Sequence, residues 1–313
     1  MASTRFRLEH TIRGHTDSVN ALSFSHDARF LASGSDDGLI RFFDTVKYDE
    51  VRRYRCASSI TALVWNERFP YTLIAGDRSG DIHVIRLRVR VFVGLRASEV
   101  STNLRHDERW LRTVNGPIHC LATGGDFLAV GFENSVILVK QGAPSEWNDN
   151  RRLPEPPSFP ELVSKLPSPT ARSLHFIPKD NTLIVTYLDH GIVAWSTSTF
   201  DNQWQIRPRS CRIGASSLAP SGCTIAVTNL CDGVDWYSLM ASRFSPGGKF
   251  TNTTPFPYRD NVMIPISHSY DGSFVAVGGT SGVARLIDAD GGQMIQDLEH
   301  GGQAFTYKSC DIY

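Results

Sequence analysis

Histidine has the widest chemical range of any residue type in this sequence, because its ring can act as a general base or a metal ligand near neutral pH. Seven of the histidines stand in similar surroundings, beside turns or in short apolar runs: His15, His26, His83, His119, His175, His190 and His268. The sequence contains no GxSxG or HExxH motif, and no paired histidines stand with a carboxylate at metal-ligand spacing. We therefore expect structural hydrogen bonding from these histidines, and we expect no catalytic activity, no metal and no other cofactor.

One glycine-rich segment resembles a phosphate-binding loop. It runs from Ser245 to Lys249, but Arg243 stands where the first glycine is required, and Phe250 stands where a magnesium-binding Ser or Thr is required. The polar residues 251–255 that follow lack the apolar pattern of a buried strand. The sequence therefore predicts a connecting loop here rather than a nucleotide site.

Composition limits the class of protein. The 313 residues carry 32 Lys and Arg against 32 Asp and Glu, so no net charge attracts nucleic acid or anionic lipid. No apolar run is long enough to span a membrane, and no apolar run follows the first residues as in a secretory signal. The six cysteines are scattered without a CxxC pair, which indicates free thiols. These features predict an intracellular protein of the cytoplasm, the nucleus or both.

The elements that would position any functional side chain are clearest in residues 13–44. Apolar residues 19–24, 30–32 and 39–43 read as three strands, and the stretches between them hold the Asp and Gly residues that favour tight turns. A unit of this size matches one blade of a β-propeller. Because one blade cannot bury its own faces, the rest of the chain must supply others.

The unit resembles a WD40 repeat. The resemblance lies in Gly14-His15, in Phe24 to Asp27, in Ser33 to Gly38 and in Phe43-Asp44, although His26 replaces the usual Pro and Phe43 the usual Trp. In such repeats a His, a strand Ser, the turn Asp and the Trp form a hydrogen-bonded network. By position these are His15, Ser33, Asp37 and Phe43. Since Phe43 has no indole N–H, the resemblance implies an incomplete network.

Weaker copies of the unit recur along the chain, at residues 60–87, 118–140, 172–195, 217–239 and 263–288. Residues 5–12 and 304–312 look like strands of a further unit. We therefore predict an all-β, WD40-like propeller that occupies residues 1–313 as a single domain. The preferred design has seven blades with an incomplete last blade, and the alternative has six.

Two irregular segments could carry function. Residues 142–169 are rich in proline, which opposes regular strand ladders, and we expect a surface loop there. The alternative is a docking loop, for which Phe159 and Leu162 would serve as apolar anchors. Residues 86–112 place Arg86, Arg88 and Arg90 on one face of a strand. That face is either a charged outer edge or a binding surface for an acidic partner.

The resemblance implies a rigid, non-enzymatic scaffold that binds other proteins or peptides over its faces. An alternative function is binding of phosphoinositide or RNA through residues 86–112, with nucleic acid disfavoured because exposed aromatic residues are not interleaved there. A propeller-type enzyme is the third alternative. The identity of the partner does not follow from the sequence.

Overall fold

The computed structural model describes residues 6–87, 111–112, 114–142, 147–159, 166–177, 180–209, 212–239, 248–256, 263–279 and 282–299. These residues form 24 strands in six antiparallel sheets of four strands each, and the strands of every sheet follow one another in chain order. Each sheet is one blade. In this part of the chain, no helix has the length and apolar character needed to cross a membrane.

The strands are as follows. The first blade has β1 Val19–Phe24, β2 Phe30–Ser35, β3 Leu39–Asp44 and β4 Glu50–Arg55; the second has β5 Ile60–Trp65, β6 Thr72–Asp77, β7 Asp81–Arg86 and β8 Leu111–Arg112. The third has β9 Ile118–Gly124, β10 Phe127–Phe132, β11 Ser135–Gln141 and β12 Trp147–Arg152; the fourth has β13 Ala171–Ile177, β14 Thr182–Tyr187, β15 Gly191–Ser196 and β16 Asn202–Ile206. The fifth has β17 Ala215–Leu218, β18 Thr224–Thr228, β19 Gly233–Ser238 and β20 Lys249–Pro255; the sixth has β21 Ile266–His268, β22 Phe274–Val277, β23 Val283–Asp288 and β24 Met294–Glu299.

The all-β propeller prediction is confirmed, but the preference for seven blades is wrong and the six-blade alternative is right. In the described part of the predicted strand 5–12, the backbone does not pair with any sheet. Hydrogen bonds to a side chain and an aromatic contact hold this segment. Residues 304–312 lie outside the described residues.

Two loop predictions also need correction. The polar segment after the glycine-rich run forms β20, and Trp147–Arg152, within the proline-rich segment, forms β12. Both are outermost strands of a blade, where solvent on one side removes the need for an apolar pattern. No proline falls between Trp147 and Arg152, so the ladder with β11 is possible there.

The core lies between blades. Five apolar clusters join neighbouring blades, one at each junction from blades one and two to blades five and six. In the first junction, Phe42 packs edge-to-face on Trp65, whose indole N–H donates to the carbonyl of Ser23 at 2.9 Å. In the second junction, Gly76 of β6 allows β9, the inner strand of the third blade, to approach closely. A Cβ at Gly76 would lie 2.5 Å from Ile118 Cγ2.

The junction between the sixth and first blades differs. Within the described ranges, no apolar cluster of this kind joins them. The N-terminal segment crosses it instead. The backbone of Phe6 exchanges two hydrogen bonds with the Gln296 side chain, at 3.0 and 2.8 Å, and its ring packs edge-to-face on Phe274. Further along, His10 stacks on Tyr48 of the first blade.

Candidate functional site

The six inner strands, which are β1, β5, β9, β13, β17 and β21, surround an axial channel. We call the end at which these strands begin the entry face and the opposite end the exit face. A cavity of about 340 Å³ opens on the entry face. Every blade contributes to its lining, which includes Asn20, Thr61, Arg78, Ile118, His119, Arg172, Ala215, Met263, Ile264 and Pro265.

Four lining residues share one backbone feature. In each of the first four blades, the pairing of the inner strand with its neighbour skips one residue near the start of the strand. The skipped residues are Asn20, Thr61, His119 and Arg172. A β-bulge leaves its extra residue unpaired and re-aims the side chain, and here all four side chains line the cavity. We call these four residues the bulge ring.

The fifth and sixth blades complete the cavity without a bulge. The inner strands β17 and β21 pair in regular register with their neighbours. Their contribution is apolar, from Ala215, Ile264 and Pro265. One side of the cavity is therefore polar and the other is apolar.

Arg172 brings a partly buried arginine to the bulge ring. Its Nε donates to the carbonyl of Gly214 at 3.3 Å, which fixes the plane of the guanidinium group. Burial lowers the pKa of Arg172, since it disfavours the charged form. The nearby Arg212 is paired with Asp189, at 3.1 Å from Nε to Oδ1. Among the described residues, no carboxylate forms an ion pair with Arg172.

The other cation at the rim is already partly neutralised. Arg78 Nη2 lies 3.4 Å from Asp36 Oδ1. The same carboxylate oxygen accepts a 2.8 Å hydrogen bond from Asn20 Nδ2, which also donates to the carbonyl of Ile60 at 3.0 Å. Asn20 is therefore held from two blades, and its amide oxygen is left as the acceptor.

The exit face has a second opening of about 530 Å³, lined among others by His26, Glu67, Phe176 and Pro220. Burial raises the pKa of the Glu67 carboxyl, although the nearby His26 and a backbone N–H oppose this shift. A narrower cavity of about 200 Å³ lies between the two openings, along the inner strands.

The structure brings together three of the four predicted network residues. His15 Nδ1 lies 2.9 Å from Asp37 Oδ2, and His15 Nε2 lies 2.7 Å from Ser33 Oγ. Phe43 is buried but has no polar side-chain atom to add. Burial tends to raise the pKa of Asp37, but the Thr16 N–H, the His15 ring and the Leu39 N–H lower it further, so the net shift is downward. This network braces the first blade and does not line the cavity.

Sequence reasoning missed a second buried pair. Asp77 Oδ2 lies 3.0 Å from His83 Nε2, and its Oδ1 accepts from Ser79 and from the Asp81 N–H. Ser79 stands where the first blade has the turn residue Asp37. The carboxylate comes instead from the last residue of β6, two positions earlier, and the histidine comes from β7.

Of the predicted docking residues, the structure describes Arg86 and Phe159, and neither lines the entry-face cavity. Arg86 is exposed at the end of β7, while Arg88, Arg90 and Leu162 lie outside the described residues. Phe159 is partly buried beneath the guanidinium group of Arg207, which lies 5.9 Å from the ring centroid. The binding surface predicted from Arg86, Arg88 and Arg90 stays a prediction.

Comparisons with known proteins agree with this architecture. Residues 6–44 match the family described as WD domain, G-beta repeat. The ribosome biogenesis protein BOP1 of Rattus norvegicus is 36% identical over 138 residues, which is 44% of this chain and 18% of that protein. The angio-associated migratory cell protein of Homo sapiens is 28% identical over 140 residues, which is 42% of this chain and 27% of that protein. The alignments thus span less than a third of either relative.

The fold itself recurs in solved structures. The crystal structure of the Myceliophteria thermophila Cps50 (Swd1) β-propeller domain superposes with a TM-score of 0.72. The match covers 94% of this chain and 90% of that one, at 15% sequence identity. At this identity the likeness is one of fold.

Proposed function

This chain is a WD40-repeat β-propeller, and we propose that it acts as a non-enzymatic scaffold that binds a partner protein at the entry-face cavity. The observation that carries the proposal is the bulge ring, because four separate blades each turn one side chain into the same cavity. Inner strands joined by buried clusters hold these side chains in place before a partner arrives. Binding to such a surface therefore costs little ordering entropy.

The chemistry of the lining supports binding rather than turnover. The bulge ring offers an amide, a hydroxyl, an imidazole and a guanidinium group, which are hydrogen-bonding groups typical of recognition. The described lining contains no carboxylate that could orient an imidazole as a general base. The proposal places the protein inside the cell, and the relative named for ribosome biogenesis favours the nucleus.

Site-specific photo-crosslinking tests the proposal. A photoreactive amino acid would replace Arg78 at the rim of the cavity or, as a matched control, Arg53 on the outer strand β4; both side chains are exposed, at 64% and 61%. We expect discrete crosslinked proteins from position 78 and none of these from position 53. The same discrete products from position 53, or no discrete products from either position, would contradict binding at the entry face.

A further inference from the structure

The charged side chains that line the cavity are the arginines Arg78 and Arg172, and this charge identifies the chemistry of a ligand. Asn20 and Thr61 use their donors within the protein and add no charge: the Asn20 amide donates to Asp36 and the Ile60 carbonyl, and the Thr61 hydroxyl donates to the carbonyl of Gly76 at 3.1 Å. Asp36 lies outside the lining, with its charge engaged by Arg78 and Asn20. The lining therefore contains cations but no carboxylate among its described residues.

Arg172 supplies donors that no described group uses. Among the described residues, Arg172 forms a hydrogen bond only through its Nε, to the Gly214 carbonyl, which leaves the two Nη groups as a fork of parallel N–H donors. A carboxylate accepts such a fork through two parallel hydrogen bonds. Because the guanidinium group is partly removed from water, a carboxylate brought by a ligand would interact with it more strongly than at an open surface.

The apolar side of the cavity selects among anions. Ala215, Ile264 and Pro265 face the space next to Arg172 but offer an anion no hydrogen-bond donor from their side chains. A phosphate dianion needs donors on several sides, and burying its remaining charge against these residues is unfavourable. A glutamate or aspartate side chain combines one carboxylate with methylene groups that fit an apolar wall.

We propose that the entry-face cavity binds an acidic side chain of a partner peptide, with the carboxylate on the Arg172 fork and the methylene groups against Ala215, Ile264 and Pro265. This inference rests on the proposed scaffold function and names the chemistry of the partner. A partner segment rich in Glu or Asp fits the site. A phosphorylated segment does not.

A peptide-binding assay tests this. The probe is a fluorescein-labelled hexaglutamate peptide, measured by fluorescence anisotropy at low ionic strength with the full chain, against a hexaglutamine peptide of the same length. We expect the glutamate peptide alone to bind. Arg172→Met should weaken binding about tenfold, and Arg172→Lys, which keeps the charge but not the fork, should weaken it less. The matched control Arg53→Met removes an exposed arginine on an outer strand and should leave the affinity unchanged.

Three results would overturn the inference. These are no binding to the unmodified chain, equal losses for Arg172→Met and Arg53→Met, or competition by inorganic phosphate beyond that of chloride at equal ionic strength. If Arg172→Met fails to fold, as judged by circular dichroism, Arg172→Lys and competition by phosphate decide the question. The scaffold proposal is tested separately, by the crosslinking at position 78. If the same discrete proteins crosslink there with and without Arg172→Met, the scaffold proposal stands and the acidic-ligand inference is refuted.

Discussion

Replacement of Asp37 by alanine tests the network that braces the first blade. The carboxylate accepts hydrogen bonds from His15 Nδ1 at 2.9 Å, from the Thr16 N–H at 3.0 Å and from the Leu39 N–H at 2.9 Å. Bonds to a charged group contribute about 1.5–3 kcal/mol each, but the exposed Thr16 N–H regains water when its partner is lost. We therefore expect Asp37→Ala to lower the free energy of unfolding by about 2–4 kcal/mol.

Urea denaturation followed by circular dichroism measures this loss. The matched control is Asp126→Ala, which removes a 53% exposed carboxylate that pairs with the exposed Arg68. Because a surface ion pair contributes about 0–1 kcal/mol, the control should unfold close to the unmodified chain. Equal unfolding free energies for Asp37→Ala and Asp126→Ala would refute the argument that the three hydrogen bonds stabilise the blade.

Three further predictions concern the core, the pH dependence and the sixth junction. Gly76→Ala should lower the free energy of unfolding by about 1–3 kcal/mol, because the new methyl group meets Ile118 Cγ2 2.5 Å away. Ile118→Ala removes that Cγ2, so it should cost less stability in the Gly76→Ala chain than in the unmodified chain; equal costs would mean that the clash is not the cause. Burial lowers the pKa of His175 from 6.5 to about 4. As the pH falls, this histidine therefore becomes protonated in the unfolded chain before it does in the folded chain. Stability should therefore drop between pH 6.5 and about pH 4, and His175→Gln should flatten that part of the urea-midpoint profile; an unchanged slope would exclude this histidine as the source. Phe6→Ala should lower Tm by about 2–4 °C, because it removes roughly 1 kcal/mol at the sixth junction, whereas Leu8→Ala, at a side chain that is 75% exposed, should leave Tm unchanged.

The strands that face neighbouring blades could be predicted from the sequence, and the outer strands could not. Phe30–Ser35 and Thr182–Tyr187 are buried on both faces, so they appear as apolar runs bounded by turn residues. Glu50–Arg55 and Lys249–Pro255 lie at the edge, where water replaces packing and no apolar pattern is needed. The same lack of pattern explains why Lys249–Pro255 was predicted as a loop.

Among the residues of the candidate site and the first-blade network, some could also be predicted before the structure was known and others could not. His15 and Asp37 are 22 positions apart, and their pairing was predicted from the resemblance to a WD40 repeat. Arg172 and Asn20 carry no such signal. Each is one residue within an inner strand, and nothing in its neighbours marks it as a bulge.

The sequence by itself determined the repeated unit and the all-β class, because strand periodicity and turn chemistry are local properties of the chain. The hydrogen-bonded residues of the first blade followed from the resemblance to a WD40 repeat. Only the tertiary structure decided the number of blades and the composition of the entry-face cavity. Both depend on how strands far apart in the chain pair and pack. A register shift of one residue in each of four blades brings Asn20, Thr61, His119 and Arg172 to the same cavity, and register is a property of strand pairs that no single strand encodes.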